Sequence, residues 1–167
     1  MPLPKINFES KETILRSFNE IAEKIGKEIQ LQINAAYYRL VDFEFYAYAE
    51  KFPDPYTYKK DLQLQFCKFY LHASGVDITL GDEKNHCGLL IRSIVKLYDG
   101  AHQENGFMSK QITGPQNCAT EIFSNLHSLE NNQKNTIALI DINGFNQDAS
   151  FFSRCRCSTL HSQAHTN

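Results

Sequence analysis

The run Arg39-Leu40-Val41-Asp42-Phe43-Glu44-Phe45-Tyr46 puts two carboxylates and a phenol at every second position of an apolar stretch. A β-strand turns successive side chains to opposite faces, so Asp42, Glu44 and Tyr46 fall on one face. Acids in so apolar a strand are costly to bury unless they are paired or used. A rigid carboxylate beside an aromatic wall suits activation of water and stabilisation of positive charge at a reacting carbon. Arg92 is the one charge between Gly88 and Ile94. A buried arginine needs an anionic partner, and Glu44, Asp42 and Asp77 are the candidates. Asp77 lies in the apolar run Val76-Asp77-Ile78-Thr79, and His72 precedes the turn Ser74-Gly75. Plainer uses compete with these. The ion pair could serve only to join strands, Asp77 could bond backbone, His72 could be an ordinary hydrogen-bonder, and Tyr46 a core aromatic.

These side chains need a sheet to hold them. Ser10 is a helix N-cap with Glu12 in the first turn. Ile14, Leu15, Phe18, Ile21, Ala22 and Ile25 then recur at helical spacing, with Gly26 placed to end or kink the helix. Strands are predicted at 29–33, 37–48, 66–72, 76–80, 88–98 and 136–142. Residues 50–65 and 99–113 read as loops, the first with the turn starter Asp54-Pro55. Gly114-Pro115 opens a helix to Leu126 with Cys118, Ala119, Ile122 and Phe123 on its apolar face. Leu40, Phe43, Phe45, Leu90, Ile94, Ile122 and Phe123 are the predicted core. The expectation is a single mixed α+β domain over 1–150, an antiparallel sheet with flanking helices and 39–48 as a central strand. A tail of doubtful order follows over 151–167.

The chain has 167 residues, a net charge of −2 and a pI near 6.3, with 42% hydrophobic and 22% charged residues. That suffices for one domain with a real core. It lacks the basic balance common among duplex-binding proteins. Five cysteines at irregular spacing, Cys67, Cys87, Cys118, Cys155 and Cys157, read as free thiols in a reducing, intracellular compartment. Cys155, Cys157, His161 and His165 match no standard zinc spacing. No apolar run approaches a membrane span.

Val41-Asp42-X-Glu44-X-Tyr46, then Phe69-Tyr70, Leu89-Leu90-Ile91-Arg92 and Gly114-Pro115 follow one another in an order that resembles the alkyladenine-type 3-methyladenine DNA glycosylases. The resemblance runs from about Ile14 to Leu126. It implies a curved antiparallel sheet and metal-free hydrolysis of the N-glycosidic bond of a flipped purine, as in base excision repair. It assigns water activation to Glu44, positioning of the water or acid to Arg92, and base stacking to Tyr46. Asp77 falls at or near the family's pocket asparagine, and His72 near its second stacking aromatic. The loop Pro53-Asp54-Pro55-Tyr56-Thr57-Tyr58 lacks the family's histidine, and Ser74 stands where its DNA-wedging aromatic would be.

The expected activity is therefore release of a purine base, without a cofactor or metal. The substrate would be DNA, a related nucleic acid or a nucleoside-like compound. Glu44 and Arg92 are the expected catalytic pair, and Asp42, Tyr46, His72 and Asp77 the substrate-binding groups. Two alternatives accompany it. One is a non-catalytic module that binds a base or nucleotide. The other is a different hydrolase with a divalent ion at Glu44, Asp77 and His72.

Overall fold

The structure is a computed structural model. It describes residues 3–99, 110–128 and 133–142, with the backbone alone at 98–99 and 154–157. Helix α1, Lys11–Glu28, starts at Ser10, whose hydroxyl accepts the Thr13 N–H at 3.1 Å. The Thr13 hydroxyl returns the bond to the Ser10 N–H at 2.9 Å. This reciprocal cap satisfies two donors that the first turn leaves open. Gly26 neither ends nor kinks the helix, which runs on to Glu28. The chain then passes directly into β1, Ile29–Ile33.

A two-residue turn at Asn34, with φ of 51°, leads into β2, Ala36–Ala49. The later strands are β3 (Phe52–Pro53), β4 (Phe66–His72), β5 (Gly75–Leu80), β6 (His86–Asp99), β7 (Gln111–Thr113), β8 (Ile137–Asp141) and β9 (Arg154–Cys157). The main order is β4-β5-β6-β2-β1-β8, and these neighbours pair antiparallel. Strands β3 and β9 add to β2, and β7 adds to β6; β9 runs parallel to its neighbour. Helix α2, Pro115–Ser124, completes a mixed α+β fold on a curled sheet.

Alternation along β2 puts the two helices on opposite faces of the sheet. The Arg39 guanidinium donates to the Gly26 carbonyl of α1 at 3.1 Å, while the next residue back, Tyr38, donates its hydroxyl to Glu121 of α2 at 2.8 Å. On the α1 face Phe45 stacks on Phe18 at 4.4 Å, with Phe43 edge-on to Phe45 at 5.8 Å. The other face of β2 carries Asp42, Glu44 and Tyr46.

Leu40, Phe43, Phe45, Leu90, Ile94 and Ile122 are buried as expected, and 39–48 is a central strand. Phe123 is not core; it is 44% exposed, because Cys118, Ala119 and Ile122 already fill the narrow face that α2 turns inward. Helix α2 ends at Ser124 rather than Leu126. Within 50–65 lie β3 and a 3-10 helix at Asp61–Leu64. In the predicted loop 99–113, β7 pairs with β6, and 100–109 lie outside the described residues. The tail contributes β9, whose backbone pairs with 42–45 of β2; the rest of 143–167 lies outside the described residues, His161 and His165 included. Replacing Ser10 by Ala should remove the α1 cap and lower the unfolding free energy by about 1 kcal/mol. A urea titration followed by circular dichroism measures it, with the folded spectrum unchanged.

Candidate functional site

Glu44 is the centre of a small ionic cluster. Its Oε1 lies 2.8 Å from Arg92 Nη1, and its Oε2 accepts a 2.7 Å hydrogen bond from the Tyr46 hydroxyl. Arg92 Nε lies 4.0 Å from Asp42 Oδ2. The side chains of Arg92, Asp42 and Glu44 are 31%, 22% and 16% exposed, so the cluster is shielded yet open to solvent. Burial, reinforced by the bond to Glu44, pushes the Tyr46 phenol well above its ordinary range, and it stays a donor.

The backbone aims Arg92. The β2–β6 ladder pairs Asp42 with Ser93 and then Phe43 with Ile91, so Arg92 is skipped; Val41 is skipped in the same way on β2. Such paired irregularities re-aim side chains locally. The Arg92 carbonyl accepts the Gly114 N–H at 2.8 Å, where α2 begins. Gly114 has φ of 98°, which a side chain would strain. The Gly114-Pro115 pair therefore both starts α2 and holds the arginine's backbone.

A second pair lies two strands along. His72 Nε2 is 2.9 Å from Asp77 Oδ1, with side chains 7% and 3% exposed and the ring N–H turned off the direct line. His72 Nδ1 accepts the Ser74 N–H at 3.2 Å, so the neutral tautomer that fits carries its proton on Nε2. Tyr70 and Tyr58 flank the imidazole, each with ring centres 5.1 Å away. Asp77 lies well inside β5 rather than at a strand end.

Gly88 joins the two groups. It pairs with Tyr46 across β2–β6 and with Thr79 across β5–β6. A Cβ there would come 3.0 Å from Asp77 Oδ2 and 3.4 Å from the Gln63 amide nitrogen. The missing side chain is the space the carboxylate uses. Cross-strand partners share a face, so Tyr70, Asp77, Leu90 and Glu44 form one row across β4, β5, β6 and β2.

All six expected site residues thus lie on one face of the sheet, in two groups. Glu44, Asp77 and His72 do not close on a common point: Glu44 is turned to Arg92 and Tyr46, and Asp77 to His72. Among the described residues no three His, Cys, Asp or Glu side chains are arranged to hold a metal ion. Tyr70, Tyr58, Gln63 and Gly88 were not anticipated. Gly88 alone had a signal, as a glycine beside an apolar strand. Cys67 and Cys118 are free thiols, and burial pushes Cys118 up to about 11.

No family model matches the chain, and no solved structure matches it. An uncharacterized protein of Acanthamoeba polyphaga mimivirus is 32% identical over 107 residues, covering 50% of this chain. The chain likewise spans 50% of that relative's length. Among the described residues no helix is long and apolar enough to cross a membrane.

Two outcomes are expected. Arg92→Ala leaves the Glu44 carboxylate without its cation and should cost about 1–3 kcal/mol of stability, read by urea unfolding. Full burial would have cost more, but Arg92 is partly exposed. The second concerns alkali. A folded-state pKa raised above the unfolded value gives stability that is complete below the unfolded pKa, near ~10, and falls as pH climbs past it. Unfolding free energy should therefore drop above that pH, and Tyr46→Phe should remove part of the drop.

Proposed function

We propose that the chain is a metal-free N-glycosidase acting on a purine base, with Glu44 as the group that activates water. The observation that carries this reading is the Glu44 carboxylate itself. One oxygen is on Arg92, the other on Tyr46, and the side chain is still 16% exposed. Each oxygen keeps a further lone pair for a water molecule. In the proposed step Glu44 takes a proton from that water as its oxygen bonds to the anomeric carbon. The carbon–nitrogen bond breaks, and its electron pair leaves with the base. A base made cationic by alkylation leaves without a further proton. The negative carboxylate also stabilises the positive charge that builds on the sugar.

Arg92 and Tyr46 act as positioning residues that fix the carboxylate. His72 and Asp77, flanked by Tyr70 and Tyr58, are proposed to read the base, with aromatic rings for its faces and a carboxylate for its donor groups. The likeness of the 41–46, 89–92 and 114–115 motifs to the alkyladenine glycosylases supports the reading. The mixed fold and curled antiparallel sheet are compatible with it. Action on nucleic acid inside the cell is part of the same proposal.

A second reading has its own support. Both Glu44 oxygens already have partners, as in a module that binds a base without cleaving it. Base release separates the two. Wild type and Glu44→Gln are incubated with alkylated DNA, deaminated DNA and free purine nucleosides, and free base is measured by chromatography. Wild type should release base from at least one substrate. Glu44→Gln should lose on the order of a hundred- to ten-thousand-fold in rate, because the amide accepts no proton from water. No release by wild type from any substrate favours the binding module. Release that survives in the mutant moves the catalytic acid to Asp77 or Asp42.

A further inference from the structure

Residues 50–60 pass over the edge of the site with an inverted burial pattern. Asp54 is fully buried and Thr57 is 3% exposed, while Tyr56 is 68% and Tyr58 is 49% exposed. Packing alone would bury the aromatics and expose the polar residues. The inversion is built into the backbone. The Asp54 N–H donates to the Ala47 and Phe52 carbonyls at 3.2 and 3.0 Å. Asp54 Oδ1 accepts the Tyr56 N–H at 3.0 Å, and the Asp54 carbonyl accepts the Thr57 N–H at 3.3 Å. Phe52 is buried, edge-on to Phe18 at 6.2 Å.

The Tyr58 ring is held close to the site. Tyr58 shares a 2.6 Å hydrogen bond with the Ser74 hydroxyl and meets His72 edge-on. Lys59, at φ of 53°, sets its ammonium 4.0 Å over the Tyr48 ring. Lys51, Lys59 and Lys60 are all exposed along the same segment, Lys51 with its ammonium 3.5 Å from Glu50. Two displayed tyrosines flanked by three lysines offer stacking faces and cations together. That combination recognises single-stranded nucleic acid.

We propose that residues 51–60 are a platform for single-stranded nucleic acid, with Tyr56 and Tyr58 stacking bases and Lys51, Lys59 and Lys60 lying beside phosphates. That the bound strand is also the substrate of Glu44 rests on the reading above; the binding surface does not. A single strand fits better than a duplex. Extruding a base from a duplex costs a few kcal/mol, and proteins that part base steps commonly insert an apolar wedge. The nearby β4–β5 tip, Ala73-Ser74-Gly75, has no large side chain, and Ser74 is tied to Tyr58.

The test is fluorescence anisotropy with labelled oligothymidylate, oligouridylate and a duplex, using the full chain with Glu44→Gln so that no chemistry intervenes. At least one single strand should bind more tightly than the duplex. Tyr56→Ala should weaken it about five- to hundredfold without moving the thermal midpoint, since Tyr56 is so exposed. Lys59→Gln with Lys60→Gln should flatten the salt dependence by roughly 0.7 in slope for each phosphate no longer neutralised. Duplex binding as tight as single-strand binding, or single-strand affinity unchanged in both variants, overturns the platform. Hydrolysis of free nucleosides by the wild type without oligonucleotide binding overturns the platform and leaves the glycosidase reading standing. Oligonucleotide binding that needs Tyr56, with no base release from any substrate, does the reverse.

Discussion

Alternation along β2 is the constraint on which the rest depends. This strand of 14 residues lies between β6 and β1, and its two faces meet different surroundings. Phe43 and Phe45 cannot pack toward Phe18 without turning Asp42, Glu44 and Tyr46 the other way. A slip of one residue would put the carboxylates against α1 and the phenylalanines against Arg92. Hydrophobic packing on one face thus sets the register of the chemistry on the other.

The regular partner of Glu44 on β6 is Leu90, and Arg92 reaches Glu44 from the diagonal position two residues on. The ladder skips Val41 and Arg92 locally. The Gly114 N–H then occupies the Arg92 carbonyl at 2.8 Å, so the irregularity costs no unsatisfied backbone acceptor there. The β4–β5 hairpin is tied to the same corner. A Cβ at Gly75 would come within 3.0 Å of Pro115 Cβ and 3.1 Å of Leu90 Cδ1. The start of α2 therefore touches the strand of Arg92 and the hairpin of His72 and Asp77 at once. The two polar groups share one mechanical support.

The sequence makes β2 and α1 readable because each carries a long periodic signal and α1 a cap. The Glu44–Arg92 contact follows from the cost of leaving either charge alone in an apolar strand. Other features had no such signal. Phe123 matches the helical period, yet a helix of 10 residues buries only a narrow stripe. The skip at Arg92 depends on two strands far apart in sequence. The segment 50–60 looks like a solvated loop because it is rich in proline, aspartate and lysine. Its order comes from Asp54 and Thr57 lying under the chain, which composition does not reveal. Strand β9, Arg154-Cys155-Arg156-Cys157, is only four residues long, too short for its alternation to stand out. Its pairing follows from the length of β2 edge that β1 leaves uncovered, since β1 reaches only to Tyr38.

Stability does not explain why one face of the sheet is polar. A partly buried arginine–glutamate pair adds little over apolar residues of similar size, and such replacements often stabilise. On the α1 face, away from Arg39 and its bond to the Gly26 carbonyl, packing is the demand: Phe18, Phe43 and Phe45 interlock with no polar atom among them. On the opposite face the same backbone carries Asp42, Glu44 and Tyr46 in succession, then Asp77 set over a glycine. Each departs from the apolar pattern of its own strand, and none gains packing by it. Departures of this kind, gathered on one side of an otherwise consistent fold, are where function is expected to reside. Their chemistry is also uneven. Glu44 is clamped from both sides, whereas Asp77 faces the His72 imidazole between tyrosine rings. In the proposed reading these two settings serve two tasks: Glu44 holds charge at the reacting centre, and Asp77 recognises what lies beside it.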